Sequence, residues 1–240
     1  MKKDELTRVV WGMVVFGCIW GFLEAVTFAG MLHKYWSICF PHHICPCFLM
    51  AAVWGSCVMG SALAVYKKPL MLIGVGVVAT ASGWLSVPFL PEPVRANYYE
   101  AWIPSATGIV VGAFSLALVA SFLMKRMGRS LSARVGAGIL SGLLASAIFI
   151  LVTEYGVDKG IVATLGYARA LPDFLGVGGI YWMVAQAVML PLGYLLGEKR
   201  EELRSWLFPR LQKRYSLGYA SLVAIIALCS GGAVAFMIGL

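Results

Sequence analysis

The sequence predicts an all-α protein, a polytopic bundle of about seven transmembrane helices. Three observations carry that expectation. The 240 residues are 60% hydrophobic and only 12% charged, where a soluble domain carries about a quarter charged residues. Too few polar groups remain to cover a surface facing water. The apolar residues also fall into runs near the ~20 residues that an α-helix needs to cross the hydrocarbon. Finally, Lys and Arg gather in alternate connections between those runs. No period-2 alternation points to a β-barrel, and backbone groups in lipid must bond internally, so the spans read as helices. The whole chain, 1–240, reads as a single integral membrane domain.

Charge and proline bound the expected spans at Val9–Met31, Ile44–Tyr66, Leu70–Leu90, Ser105–Met124, Val135–Thr153, Val177–Gly197 and Leu217–Leu240. The first follows the basic start MKKDELTR. Its apolar run is longer than the ~7–15 residues of a signal-peptide core, and no small-x-small cleavage site closes it. It therefore reads as a retained span.

Orientation follows from the basic residues. Lys2, Lys3 and Arg8 precede the first span, and Lys67 and Lys68 join the second and third. Lys125, Arg126, Arg129 and Arg134 join the fourth and fifth. Lys199, Arg200, Arg204, Arg210, Lys213 and Arg214 join the sixth and seventh. Of the 19 Lys and Arg, only Lys34, Arg95, Lys159 and Arg169 fall on the other side. Under the positive-inside rule the N-terminus lies in the cytoplasm and the C-terminus outside. The expected location is a bacterial or archaeal cytoplasmic (inner) membrane. The net charge of +8 is then topological, with anionic lipid a secondary attraction, and no nucleic-acid partner is expected.

Two of the expected outer loops are long. Pro91–Pro104 (PEPVRANYYEAWIP) has an interfacial composition, and Glu154–Gly176 carries Glu154, Asp158 and Asp173. On the inner side, Glu198–Leu211 spaces Leu203, Trp206, Leu207 and Leu211 as a helix lying on the membrane surface would. A solvated loop with an aromatic anchor fits that stretch equally well.

Chemistry concentrates at few positions. Glu24 lies inside the first span, where a carboxylate costs a few kcal/mol and by default marks a substrate or proton site facing a cavity or a partner. A buried structural acid is the competing explanation. Gly17, Gly21, Ala25 and Ala29 form a small-residue row on the same helix. Similar rows run through Gly108 and Gly112, through Gly138, Gly142 and Ser146, and through Gly193 and Gly197. Such rows mostly pack a protein's own bundle, and otherwise dock a separate membrane subunit. Cys39–Cys47 (CFPHHICPC) gathers Cys39, His42, His43, Cys45 and Cys47, soft ligands suited to zinc or copper. Its spacing matches no usual zinc pattern, and disulfides or an unligated turn fit it as well. No other cofactor is indicated. Trp84, Tyr98, Tyr99 and Glu154, with His33 near the first outer loop, are candidate ligand contacts at the outer end. Haem attachment, nucleotide-binding loops, nucleophile elbows and HExxH zinc motifs are all lacking, so no enzymatic activity is expected.

Trp20-Gly21, Glu24-Ala25 and Leu32-His33 together form a WGxxEA…LH opening. It resembles the substrate-binding S components of energy-coupling-factor transporters, clearly over the first helix and loosely at the Lys67–Pro69 turn. That resemblance implies capture of a small molecule or metal ion from the outer side. It also implies docking, through Gly21, Ala25 and Ala29, on a transmembrane coupling subunit driven by cytoplasmic ATPases. Those components usually have six spans, and this chain departs from them with a seventh. The alternative is a non-catalytic accessory or scaffold subunit of a larger respiratory or energy-conserving membrane complex, suggested by the many small-residue faces.

Overall fold

The computed structural model describes residues 3–35, 46–86, 92–156 and 179–207. They form six helices in the order α1 (Lys3–Tyr35), α2 (Pro46–Tyr66), α3 (Met71–Ser86), α4 (Glu92–Met127), α5 (Leu131–Gly156) and α6 (Gly179–Leu207), with no strand among the described residues. Four stretches, Glu5–Ala25, Ser105–Met127, Leu131–Val152 and Gly179–Lys199, are long and apolar enough to cross a membrane. Ala51–Tyr66 and Met71–Leu85 are shorter apolar helices. Length and composition thus mark a helical membrane protein. The expected seventh span, Leu217–Leu240, lies outside the described residues.

Local chemistry sets the helix ends. Pro46 opens α2, a position where its missing N–H costs nothing. Lys67 closes α2 with a positive φ of 53°, its N–H donating to Leu63 O at 2.9 Å. This left-handed residue past a helix end is usually glycine. Gly128–Ser130 joins α4 to α5, and the Ser130 hydroxyl accepts the Ala133 N–H at 3.1 Å, an N-cap. That cap starts α5 at Leu131 rather than at Val135, as the sequence had implied.

Two expectations are corrected. Pro91–Pro104 is not a loop, because α4 is helical from Glu92 onward. Pro93 falls in the first turn, where no N–H partner is needed, and a single interior break at Pro104 is tolerated when neighbouring structure supports the helix. Nor does a new element start at Glu198, since α6 runs unbroken to Leu207, and 208–211 lie outside the described residues. Within α6, Gly197 lets the helix pass close to α2, where an added methyl would meet Ser61 O and the Ala64 methyl. In the Glu154–Gly176 stretch, helix α5 continues to Gly156, and 157–176 lie outside the described residues.

Glycines let the helices approach closely. A methyl added at Gly193 would strike the Cys57 backbone of α2, and one at Gly60 would lie 2.5 Å from Leu190 O of α6. Ser61 closes that contact by donating across to Gly193 O at 2.8 Å. Gly138 and Gly142 seat α5 on the Gln186 and Met183 backbone of α6. Gly17 and Gly21 seat α1 on α3. Around these contacts Phe16, Met59, Leu63, Leu72, Val75, Leu116, Met127 and Leu190 form the core. Phe149 and Trp182 pack edge to face in a second cluster, with ring centroids 6.1 Å apart.

Charged groups meet at one end. Lys68 of the α2–α3 turn pairs with Glu5 of α1, and the Arg8 guanidinium lies 5.8 Å from the Tyr66 ring centroid. Arg134 of α5 holds Glu198 of α6 through two hydrogen bonds of 3.1 and 2.9 Å. These pairs bring the start of α1, both short turns and the last part of α6 to the same end.

Candidate functional site

Glu24 is the one acidic side chain buried inside the bundle among the described residues, 4% exposed. It sits one helical turn beyond Trp20, so both residues share one face of α1. Ser105 of α4, itself buried, donates its hydroxyl to Glu24 Oε1 at 2.8 Å. Oε2 has no hydrogen-bond partner among the described residues. The Trp20 indole N–H lies beside the same carboxylate without completing a bond to it. Its ring is clamped over Gly55 of α2, where an added methyl would come within 2.7 Å of Cε2. One turn on, Thr27 folds back to donate to Leu23 O at 2.6 Å and Glu24 O at 3.1 Å.

Close contacts fix the register of the neighbours. Trp20 meets Gly55, Gly21 meets Ala79 and Ser82, and Glu24 meets Ser105. Residues 20–24 of α1 therefore share a level with 55 of α2, 79–82 of α3 and 105 of α4. At that level Trp54 Nε1, Ser56 Oγ and Thr80 Oγ1 are also buried without partners among the described residues. Buried polar atoms are rarely left unmatched, because each costs roughly 1–3 kcal/mol. Nearest the open Glu24 oxygen is the Trp20 indole donor on the same face of α1, whereas Trp54 and Ser56 stand about 200° apart round α2 and do not both face it. The carboxylate and indole together offer an acceptor and a donor to a small ligand.

The other expected site residues fare differently. Trp84 is 45% exposed. It stands two residues past Ser82, about 200° round α3, and so is turned away from the face by which Ser82 meets α1. Gly21 and Ala25 are buried, and α3 occupies the space before Gly21. Gly21 therefore packs against α3 within the bundle. His33, Tyr98, Tyr99, Glu154, Ala29 and Cys47 lie on helices, but their side chains are outside the described residues. Cys39, His42, His43 and Cys45 lie outside them entirely. Among the described residues no group of three His, Cys, Asp or Glu could hold a metal, and Cys18 and Cys57 are free thiols.

Sequence reasoning missed Ser105, which marked only the start of a span. A serine at the head of an apolar run says nothing about which helix it will face. It also missed the pairing of Ser141 with Gln186 inside the α5–α6 contact, at 2.5 Å. The intramembrane glutamine at 186 was the available signal for that pair.

An all-helical membrane protein with a carboxylate–hydroxyl pair inside its bundle is the class that fold and site define. No family model, curated protein or solved structure matches the chain.

Proposed function

We propose that the chain is a substrate-capturing component of a membrane transport system. It would take a small molecule from the outer side, in the manner of the energy-coupling-factor S components that its first helix resembles. The observation that carries this reading is the Glu24 carboxylate, buried against Ser105 with its second oxygen open. An acid inside a span is costly and commonly marks a substrate path, and here the Trp20 indole N–H beside it is unmatched as well. The open carboxylate oxygen beside the Trp20 N–H gives the ligand its class: neutral or cationic, with hydrogen-bonding groups of both senses. A bare metal ion fits less well, because the Trp20 indole N–H beside the carboxylate repels it.

The proposal takes the chain as seven spans in a bacterial or archaeal cytoplasmic membrane, with its N-terminus in the cytosol. Gathering of Arg8, Lys67, Lys125, Arg126, Arg129 and Lys199 at the end of the bundle opposite Glu24 supports that orientation. Glu24 then lies in the outer half, where a periplasmic ligand would arrive. A coupling subunit and ATPases are the expected partners.

The test is purification in mild detergent, followed by mass spectrometry of small molecules released on denaturation and of co-purifying proteins. Wild type is expected to release one compound in near-stoichiometric amount, and Glu24→Gln to release little of it while remaining folded. An equal yield from Glu24→Gln would remove Glu24 from the site. A large membrane assembly recovered with no small molecule would replace transport by the accessory-subunit reading.

A further inference from the structure

We infer that the C-terminal end of α4, with the α4–α5 turn, is a binding site for one anionic phospholipid. The lipid's acyl chain would lie along α4, and its phosphodiester would sit between Lys125, Arg126 and Arg129.

Two independent features of α4 coincide there. The first is an apolar lane. Val110, Phe114, Leu118 and Phe122 follow one another at four-residue spacing and are all exposed, Phe122 by 80%. Ala113, Leu116, Ala117 and Ala120 on the other side of α4 are buried in the bundle. From 110 to 122 the lane runs about 18 Å, close to the ~15 Å depth of one leaflet. Side chains four apart stand in line on a helix surface, and no described helix covers this row.

The second feature is uncompensated charge where the lane ends. The next residue in the same series is Arg126, flanked by Lys125 and Arg129. All three are exposed, and none has an ion-pair partner among the described residues. Of the acids at this end whose side chains are described, Glu5 is engaged by Lys68 and Glu198 by Arg134. Backbone donors of the turn are engaged too. Gly128 N–H donates to Met124 O, and the Arg129 and Ser130 N–H groups donate to Arg126 O. An anion here would be held by the three side chains alone, two of them guanidinium forks suited to phosphate. A soluble phosphate would use the charges and leave the lane bare, whereas a phospholipid satisfies both. Juxtamembrane basic clusters attract anionic leaflets in this way. Leu131, 59% exposed just past the turn, extends the apolar contact to a second chain.

The inference needs α4 to span the bilayer but does not depend on what Glu24 binds. Native mass spectrometry of the detergent-solubilised chain would test it, titrating phosphatidylglycerol against phosphatidylcholine with the same acyl chains. Wild type should retain one phosphatidylglycerol with at least about tenfold preference. The triple variant K125Q/R126Q/R129Q should lose that preference, and so should Arg126→Gln in part. A K67Q/K199Q control should keep it, and glycerophosphate, a headgroup without chains, should not bind. Phe122→Ser should weaken retention of both lipids. These residues are exposed, so unchanged thermal unfolding of each variant is expected and separates lost binding from lost fold. Equal retention of the two lipids by wild type would overturn the assignment, as would a triple variant that keeps the preference. Tight binding of glycerophosphate would convert the site to one for soluble phosphate and overturn the lipid.

Discussion

Arg134→Ala should destabilise the bundle more than any other single charge deletion among the described residues. The Arg134 side chain is only 8% exposed and meets three partners at once. It forks onto Glu198, donates Nε–H to Met127 O at 2.8 Å, and lies 4.1 Å from the Tyr194 ring centroid. Hydrogen bonds to charged groups are each worth about 1.5–3 kcal/mol, and a desolvated cation–π contact about 2. These do not add, because Glu198 is 43% exposed and water can solvate it once the arginine is gone. The net expectation is about 2–4 kcal/mol. Arg134→Lys keeps the charge but loses the fork and the stacked plane, and should fall between wild type and alanine. Glu198→Gln should cost about 1 kcal/mol, since Met127 O and the Tyr194 ring still hold the guanidinium. Equilibrium unfolding of purified protein in mild detergent gives the ranking. An Arg134→Ala value within about 0.5 kcal/mol of wild type, or one below that of Glu198→Gln, would refute the view that this arginine clasps α4, α5 and α6 together.

Three further outcomes follow from the packing. Gly193→Ala should cost about 1–3 kcal/mol, because the new methyl meets the Cys57 backbone and must push α2 from α6; thermal unfolding in detergent reads it. Ser141→Ala should cost roughly 1–3 kcal/mol by orphaning the Gln186 carbonyl, and S141A/Q186L should recover part of it, as a double-mutant cycle will show. Glu5→Gln should change stability by less than about 1 kcal/mol, because its pair with Lys68 is solvent-exposed.

Much of the fold was legible in the sequence, because in a bilayer hydrophobic length is nearly synonymous with helix. The limits of α2 and the short Lys67–Leu70 turn follow from apolar runs interrupted by charge. Errors fell where local signals compete with longer-range support. Pro93 and Pro104 read as breakers, yet α4 passes through both. The charged stretch after Gly197 read as a new element, yet α6 runs on to Leu207. Half of the site was legible as well. Glu24 stood out because an acid is rare in such a run, whereas Ser105 could not, since hydroxyls are common at span ends and only tertiary register selects one. Arg134 was counted as one topological charge among many. Its burial depends on Glu198, distant in sequence, and no spacing rule connects them.

Accessibility of the α4–α5 turn bears most directly on the whole account, because the outward placement of Glu24 and the basic end both follow from it. With the six native cysteines replaced, Arg129→Cys should resist a membrane-impermeant maleimide in intact cells and react once the membrane is opened. Reaction from outside in intact cells would invert the bundle, placing Glu24 toward the cytosol and contradicting capture from the outer side.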